Sequence, residues 1–148
     1  MSTISDTIDH GAAFVRSFVV RERRDRLAFE HSKGRLLGRF CHEAAVLLDQ
    51  RFARRLHTPV SDYCQIVEML RKAGAGRRCF VLSHCADIDG QTLELTEALS
   101  RAVGYGLPSI ISCLPGELAY LETEQVAGPP DRYILHRPGG LPQINSPA

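Results

Sequence analysis

The spacing of apolar side chains predicts helices in the first half of the chain. Asp9 can cap a first helix that runs to about Phe29. After a break at 31–34, in which Ser32 can cap the next helix, apolar residues return at steps of three and four, as on the buried face of an amphipathic helix: Leu36, Leu37, Phe40, Cys41, Ala44, Leu47 and Leu48. A third helix, capped by Ser61, is predicted to end at Gly74.

The second half has the shorter periods of β-structure. Cys79 to Leu82 forms a short apolar run that predicts a buried strand. An apolar run at 109–114 and an alternating one at 117–124 flank Pro115 and Gly116, which is the arrangement of a β-hairpin. Proline presets φ for the first central residue of a turn, and glycine tolerates the positive φ of the second.

Three further assignments complete the set of elements. Phe52 and Leu56 are assigned to an extension of the second helix or to a short helical turn, which Thr58 and Pro59 end. A turn over 87–90 precedes a short helix over 94–103. The last strand is predicted over 133–135, and we expect it to leave a sheet edge available for pairing.

This order of elements predicts an α+β fold. An N-terminal three-helix layer packs on a small, mostly antiparallel C-terminal sheet with one further short helix, and the helices cover one face of the sheet. Residues 1–137 are predicted to form a single domain. The tail at 138–148 is rich in proline and glycine, and we expect it to be disordered.

Composition narrows the class of protein. A chain of 148 residues with 44% apolar residues can bury a core without a metal or a disulfide. Its five cysteines are odd in number and lack CxxC spacing, and the chain shows neither a secretory leader nor an apolar run of membrane-spanning length. We therefore expect a cytoplasmic protein with reduced thiols, no cofactor and no membrane contact.

Charge is distributed unevenly along the chain. The net charge is +6 over residues 1–80 and −5 over residues 81–148. Such asymmetry favours attraction to another protein or to a second copy of the chain. The leading hypothesis is a non-catalytic binding or regulatory module that acts through protein–protein contact or as a homodimer. Its predicted binding residues lie on the first two helices: Arg23, Arg24, Arg26, Arg35 and Arg39.

Nucleic acid is the first alternative partner, because the basic residues of the first two helices could contact phosphates: Arg16, Arg21, Arg23, Arg24, Arg26, Lys33, Arg35 and Arg39. Glu22, Asp25 and Glu30 are interleaved with them at the spacing of helical ion pairs, which favours a solvated helix face instead.

A Cys/His-dependent hydrolase or transferase is the second alternative. Cys113 lies at a strand end before a sharp turn, where a nucleophile could stand, and His84 or His136 could activate it if the sheet order brings them alongside. A buried thiol that acts as a small apolar side chain is the simpler interpretation.

Metal chemistry is only weakly indicated. Asp87 and Asp89 are two residues apart and could bind Mg²⁺ with a third carboxylate from Glu117, Glu122 or Glu124. A turn at Asp89-Gly90 explains the same pattern. Zinc bound by Cys79, His84, Cys85 and Asp87 is disfavoured, because adjacent residues of a strand point to opposite faces. The sequence therefore assigns no metal site.

Overall fold

The computed structural model describes residues 8–57, 62–105, 107–124 and 130–139, except for the side chains of Cys41 and His42. The described chain has five α-helices and six strands, which confirms the predicted α+β class. In chain order the elements are α1 (His10–Phe18), α2 (Arg24–Ser32), α3 (Leu36–Leu47), β1 (Ala53–Leu56), α4 (Tyr63–Lys72), β2 (Arg78–Ser83), β3 (Thr92–Glu94), α5 (Leu95–Ala102), β4 (Ser109–Leu114), β5 (Leu118–Glu122) and β6 (Arg132–His136).

The strands form one antiparallel sheet in the order β1-β6-β5-β4-β2-β3. Ile110 and Leu121 pack with residues of α1, α2 and α3, whereas Ile111 and Tyr120 pack with residues of α4 and α5. The helices therefore cover both faces of the sheet, and the expectation of a single covered face is wrong. Strand β5 is buried at all five of its positions, as the middle of such a sandwich requires.

The predicted first helix is interrupted. Asp9 caps α1 as expected, but the helix ends at Phe18. Val19 is extended and bridges to Leu48, and the N–H of Asp49 donates to the Phe18 carbonyl (2.8 Å). A 3₁₀ turn at Arg21–Arg23 then leads into α2. Contact with the end of α3 thus overrides the local helical preference.

Two predicted helix ends also need correction. Ser32 does not cap α3, since it is the last residue of α2 and its hydroxyl donates to the Phe29 carbonyl (2.6 Å). Asp62 caps α4 by accepting from the N–H of Cys64 (2.9 Å), whereas Ser61 lies outside the described residues.

The region between α3 and α4 contains a strand that the sequence analysis missed. Residues 53–56 form β1, not a helical extension, and they pair with β6. Strand β6 therefore has a partner on both sides, and the edge strands are β1 and β3. Part of the predicted tail, residues 140–148, lies outside the described residues.

The β4–β5 hairpin is confirmed. The N–H of Glu117 donates to the Leu114 carbonyl (2.9 Å) across Pro115 and Gly116, and Gly116 has a φ of 71°. This turn touches α1, because a Cβ atom on Gly116 would stand 2.9 Å from the Ser17 hydroxyl. Glycine is therefore required here both for its backbone conformation and for its small size.

The start of α1 is held at two points. Asp9 accepts a hydrogen bond from the N–H of Ala12 (2.9 Å), and its carboxylate also contacts Nε2 of His31 (2.7 Å). The ring of His10 stacks on that of Phe80 in β2, with 4.5 Å between the ring centroids. These contacts join the first helix to α2 and to the sheet.

Replacing Gly116 by alanine should destabilise the protein by about 1–3 kcal/mol, because the change adds both a positive-φ strain and a clash with Ser17. The free energy of unfolding measured by urea titration checks this expectation.

Gly38→Ala is the matched control. Gly38 lies within α3, and a Cβ atom there would meet no described side chain and no backbone outside that helix within 4 Å. Alanine should stabilise this helix by up to about 1 kcal/mol. Equal effects of the two substitutions would contradict the role assigned to Gly116.

Candidate binding surface

Helix α2 carries an exposed aromatic ring among cations. Only Leu27 and Glu30 of its nine residues are buried. Phe29 is 52% exposed. The Nζ atom of Lys33 lies 5.6 Å from the ring centroid of Phe29, and Cζ of Arg35 lies 5.9 Å from it. Together with Arg26, three residues before Phe29 on the same helical face, these residues form what we call the aromatic–basic surface.

Glu30 fixes two of the cations of this surface. Its carboxylate accepts from Nε of Arg35 (2.8 Å) and from Nε of Arg26 (3.4 Å). The hydrogen bond from Arg35, helped by Arg26, lowers the pKa of Glu30 although burial acts in the opposite direction. Both arginines are thereby oriented and partly neutralised, whereas Lys33 has no ion pair with a described residue.

The other predicted binding arginines have different surroundings. Nε of Arg24 donates to the Val19 carbonyl (3.0 Å), so this residue stabilises the segment between α1 and α2. Arg39 pairs with Glu43 (3.5 Å), and its Nε atom has no hydrogen-bond partner in the described chain. Arg23 is exposed and has no ion pair with a described residue. The structure thus brings only Arg26 and Arg35 of the five predicted residues together.

The thiol proposed as a nucleophile is buried in the sheet. The Cys113 thiol contacts the Ile111 carbonyl (3.9 Å) and packs in the core under α4 and α5. Burial, and secondarily the neighbouring Cys79, raise the pKa of Cys113. Burial also raises the pKa of Cys79, to about 12. Both effects oppose formation of a thiolate at neutral pH.

No histidine activates this thiol in the described chain. His84 is exposed just after β2, and His136 is half-buried at the end of β6. None of the hydrogen bonds and ion pairs between described residues joins Cys113, His84, His136, Glu122 or Glu124 to another of these five.

Of the two aspartates proposed for a metal, Asp89 uses its carboxylate in a structural contact and Asp87 uses its backbone carbonyl. Asp89 accepts from the N–H of Ser83 (2.9 Å), and Gly90 has a φ of 76°, so this segment forms the predicted turn. Asp87 is exposed, and its carbonyl accepts from the Gln91 amide (2.7 Å). Within the described ranges, no group of three or more His, Cys, Asp or Glu side chains is placed to hold a metal ion.

The most buried charge belongs to Glu122 of β5, which is fully buried. Its carboxylate accepts from Nε of Arg132 (2.9 Å), the hydroxyl of Tyr120 (2.6 Å) and the N–H of Gly104 (2.8 Å). Burial would lower the pKa of Arg132, but the bond and charge of Glu122 outweigh it and raise that pKa. Burial, with Glu122 beside it, raises the pKa of Tyr120. All of these contacts are internal, which indicates a structural role.

Two features of the surface and core escaped the sequence analysis. Phe29 was assigned to the end of the first helix, although a single aromatic residue within the polar segment RDRLAFEHS is a recognisable sign of an exposed ring. Glu122 was considered only as a metal ligand. Its position in a strand that is otherwise apolar was the sign that it needs a buried partner.

Comparison of the chain with models of protein families, with curated proteins and with solved structures found no match. Among the described residues, the helices are too short or too polar for any of them to cross a bilayer.

Glu122→Gln should destabilise the fold by roughly 3 kcal/mol, because it leaves the buried guanidinium of Arg132 without a countercharge. The measurement is the free energy of unfolding from urea titration at neutral pH.

The matched control is Glu97→Gln, which removes an exposed i,i+4 pair with Arg101 on α5. This pair should contribute no more than about 0.5 kcal/mol. A loss at Glu122 as small as the loss at Glu97 would show that the buried pair does not constrain the sheet.

Thiol labelling tests the catalytic alternative. Cys64 is exposed, whereas Cys79 and Cys113 are buried. Iodoacetamide at neutral pH should therefore label Cys64 at least about tenfold faster than either buried thiol, as followed by mass spectrometry. Faster labelling of Cys113 than of Cys64 would restore the Cys/His hypothesis.

Proposed function

We propose that this chain is a small, non-catalytic binding module that acts through contact with another protein or with a second copy of itself at the aromatic–basic surface. The observation that carries the proposal is the position of Phe29. This ring is 52% exposed, whereas Phe14, Phe18 and Phe40 are buried in the core.

The chemistry of the surface suits a protein contact. Aromatic rings and arginines are enriched where interfaces concentrate their binding energy, because they combine large apolar area with directional hydrogen bonding. Lys33 and Arg35 lie beside the ring of Phe29 at cation–π distance, so one surface offers both apolar area and positive charge. The exposed cations favour an acidic partner surface.

The same combination of ring and cations occurs in nucleic-acid interfaces, where bases stack on aromatic side chains. Here Glu30 neutralises part of the charge of Arg26 and Arg35. Only one large ring is exposed on α2, so a series of bases would find no continuous stacking platform. These two features favour protein over nucleic acid.

The proposed location is the cytoplasm. The support is the odd number of cysteines without CxxC spacing, which does not suggest the disulfide framework of a secreted protein.

A photoreactive phenylalanine derivative in place of Phe29 tests the proposal in the cells from which the protein comes. Illumination should give a discrete protein adduct, and Lys33→Glu in the same chain should lower its yield about threefold or more by reversing the charge beside the ring. Adduct mass, measured after purification, distinguishes a partner protein from a second copy.

Tyr105 provides the matched control position, since it is an aromatic residue that is 68% exposed and has no cation stacked on it among the described residues. The same probe at position 105 should give no discrete adduct. Equal adducts at both positions would contradict the proposal, and an adduct removed by nuclease would replace it with the nucleic-acid alternative.

A further inference from the structure

Strand β1 is an edge of the sheet. Among the described residues it pairs with β6 alone, with Ala53 opposite Leu135 and Leu56 opposite Arg132. The N–H of His136 donates to the Phe52 carbonyl (2.9 Å), so the backbone groups of Phe52 face β6. Because these directions alternate along a strand, the N–H and C=O groups of Ala53 and Arg55 point away from β6. Those groups have no backbone partner among the described residues.

This edge is strongly basic. Arg54 is exposed and has no ion pair with a described residue. Arg51 pairs with Asp49 (2.7 Å), and Arg55 pairs with Asp131 (2.7 Å), but both guanidinium groups remain largely exposed. Arg54 thus supplies a positive charge that the neighbouring residues do not neutralise.

A groove lies between this edge and α4. Its volume is about 280 Å³, and its walls combine apolar and cationic side chains. Met69, Ala73 and Ile134 supply apolar surface, whereas Arg54 and His136 supply polar groups. An extended peptide that paired with β1 could therefore place an apolar side chain in the groove beside Arg54.

Phe52 forms a rigid end to the groove. The guanidinium carbons of Arg51 and Arg137 lie 5.0 and 4.4 Å from its ring centroid. Arg137 is itself held, because its Nη1 atom donates to the Ser17 carbonyl (3.2 Å). The groove is thus largely formed before a ligand arrives, which lowers the entropy lost on binding.

We propose that β1 is a docking edge at which an extended, acidic segment of a partner protein adds to the sheet as an additional antiparallel or parallel strand. The backbone groups of Ala53 and Arg55 supply the hydrogen bonds, Arg54 selects carboxylate side chains, and the groove accepts an apolar side chain. This edge shares no residue with the aromatic–basic surface, so it is a second contact site of the chain.

Charge argues against a second copy as the occupant. Two β1 strands brought edge to edge would oppose the Arg54 and Arg55 side chains of both copies, and like charges in that arrangement are destabilising. Natural edge strands carry cations to prevent such self-pairing. An acidic strand meets no such repulsion, so the same arginines select the partner.

The test uses the full chain and a fluorescein-labelled peptide about seven residues long, in which glutamate and valine take turns along one face of the strand and threonine occupies the positions between them. Fluorescence anisotropy at low ionic strength should show saturable binding, and the same peptide with lysine for glutamate should not bind. Arg54→Glu should weaken binding about tenfold or more. The control Arg101→Glu, on α5, should change the affinity by less than about twofold.

Two further measurements separate strand addition from simple charge attraction. Along a strand, the N–H groups of alternate residues face the same neighbouring strand. Methylating the peptide nitrogens that face β1 removes these donors and should abolish binding. Methylating the other alternate set should leave binding intact. Amide hydrogen exchange at Ala53 and Arg55, followed by NMR, should slow when the peptide binds.

Several outcomes would overturn the proposal. The proposal is wrong if no binding occurs up to about 1 mM peptide, or if the lysine peptide binds equally well. It is also wrong if Arg54→Glu leaves the affinity unchanged, or if both methylated peptides still bind. Lys33→Glu should leave peptide affinity unchanged, so a loss in that variant would assign the peptide to the aromatic–basic surface instead. Results for the two surfaces are therefore independent.

Discussion

A buried ion pair constrains how two neighbouring strands of the described sheet align. Glu122 and Arg132 face each other across β5 and β6, and the carboxylate also holds the hydroxyl of Tyr120 and the backbone of Gly104, just after α5. Charges removed from water are tolerated only when they are fully paired. A slip of one residue between β5 and β6 would move Glu122 to the opposite face and leave both charges without partners. The pair therefore fixes one register for the sheet and, through Gly104, the position of α5 above it.

Outside the core, six of the fifteen Lys and Arg side chains of residues 1–80 form ion pairs with described carboxylates. Arg26 and Arg35 share Glu30, Arg24 binds a carbonyl group, and Arg39 pairs with Glu43. The +6 net charge of residues 1–80 does not show which of these cations remain available to a partner. Each of the two surfaces proposed as contact sites combines a cation that has no ion pair with a described residue and exposed apolar area. Lys33 beside Phe29 is one such combination, and Arg54 beside the groove under α4 is the other.

The sequence was sufficient to predict elements whose signals are local. Period and turn chemistry identified α3, the β4–β5 hairpin and the strand after Gly74, because the decisive residues lie within a few positions of each other. Elements that depend on distant partners were missed. Strand β1 has the sequence ARRL, which carries no alternation of its own and becomes a strand by pairing with residues 132–135. The same limit applied to function, since the positions of His84 and His136 relative to Cys113 are set by the order of the strands and not by their neighbours in the chain.

The pairing of β1 with β6 has a consequence for how the protein acquires its fold during synthesis. Residues 53–56 leave the ribosome long before residues 132–135, yet they have no other strand to join. Contacts between such distant segments form slowly, because a long loop must close first. The nascent first half can form its helices locally, but one side of the sheet stays incomplete until residues 132–135 have been synthesised. During that interval the backbone of β1 has unpaired hydrogen-bonding groups. Its arginines oppose pairing with the same segment of other unfinished chains, because like charges would meet.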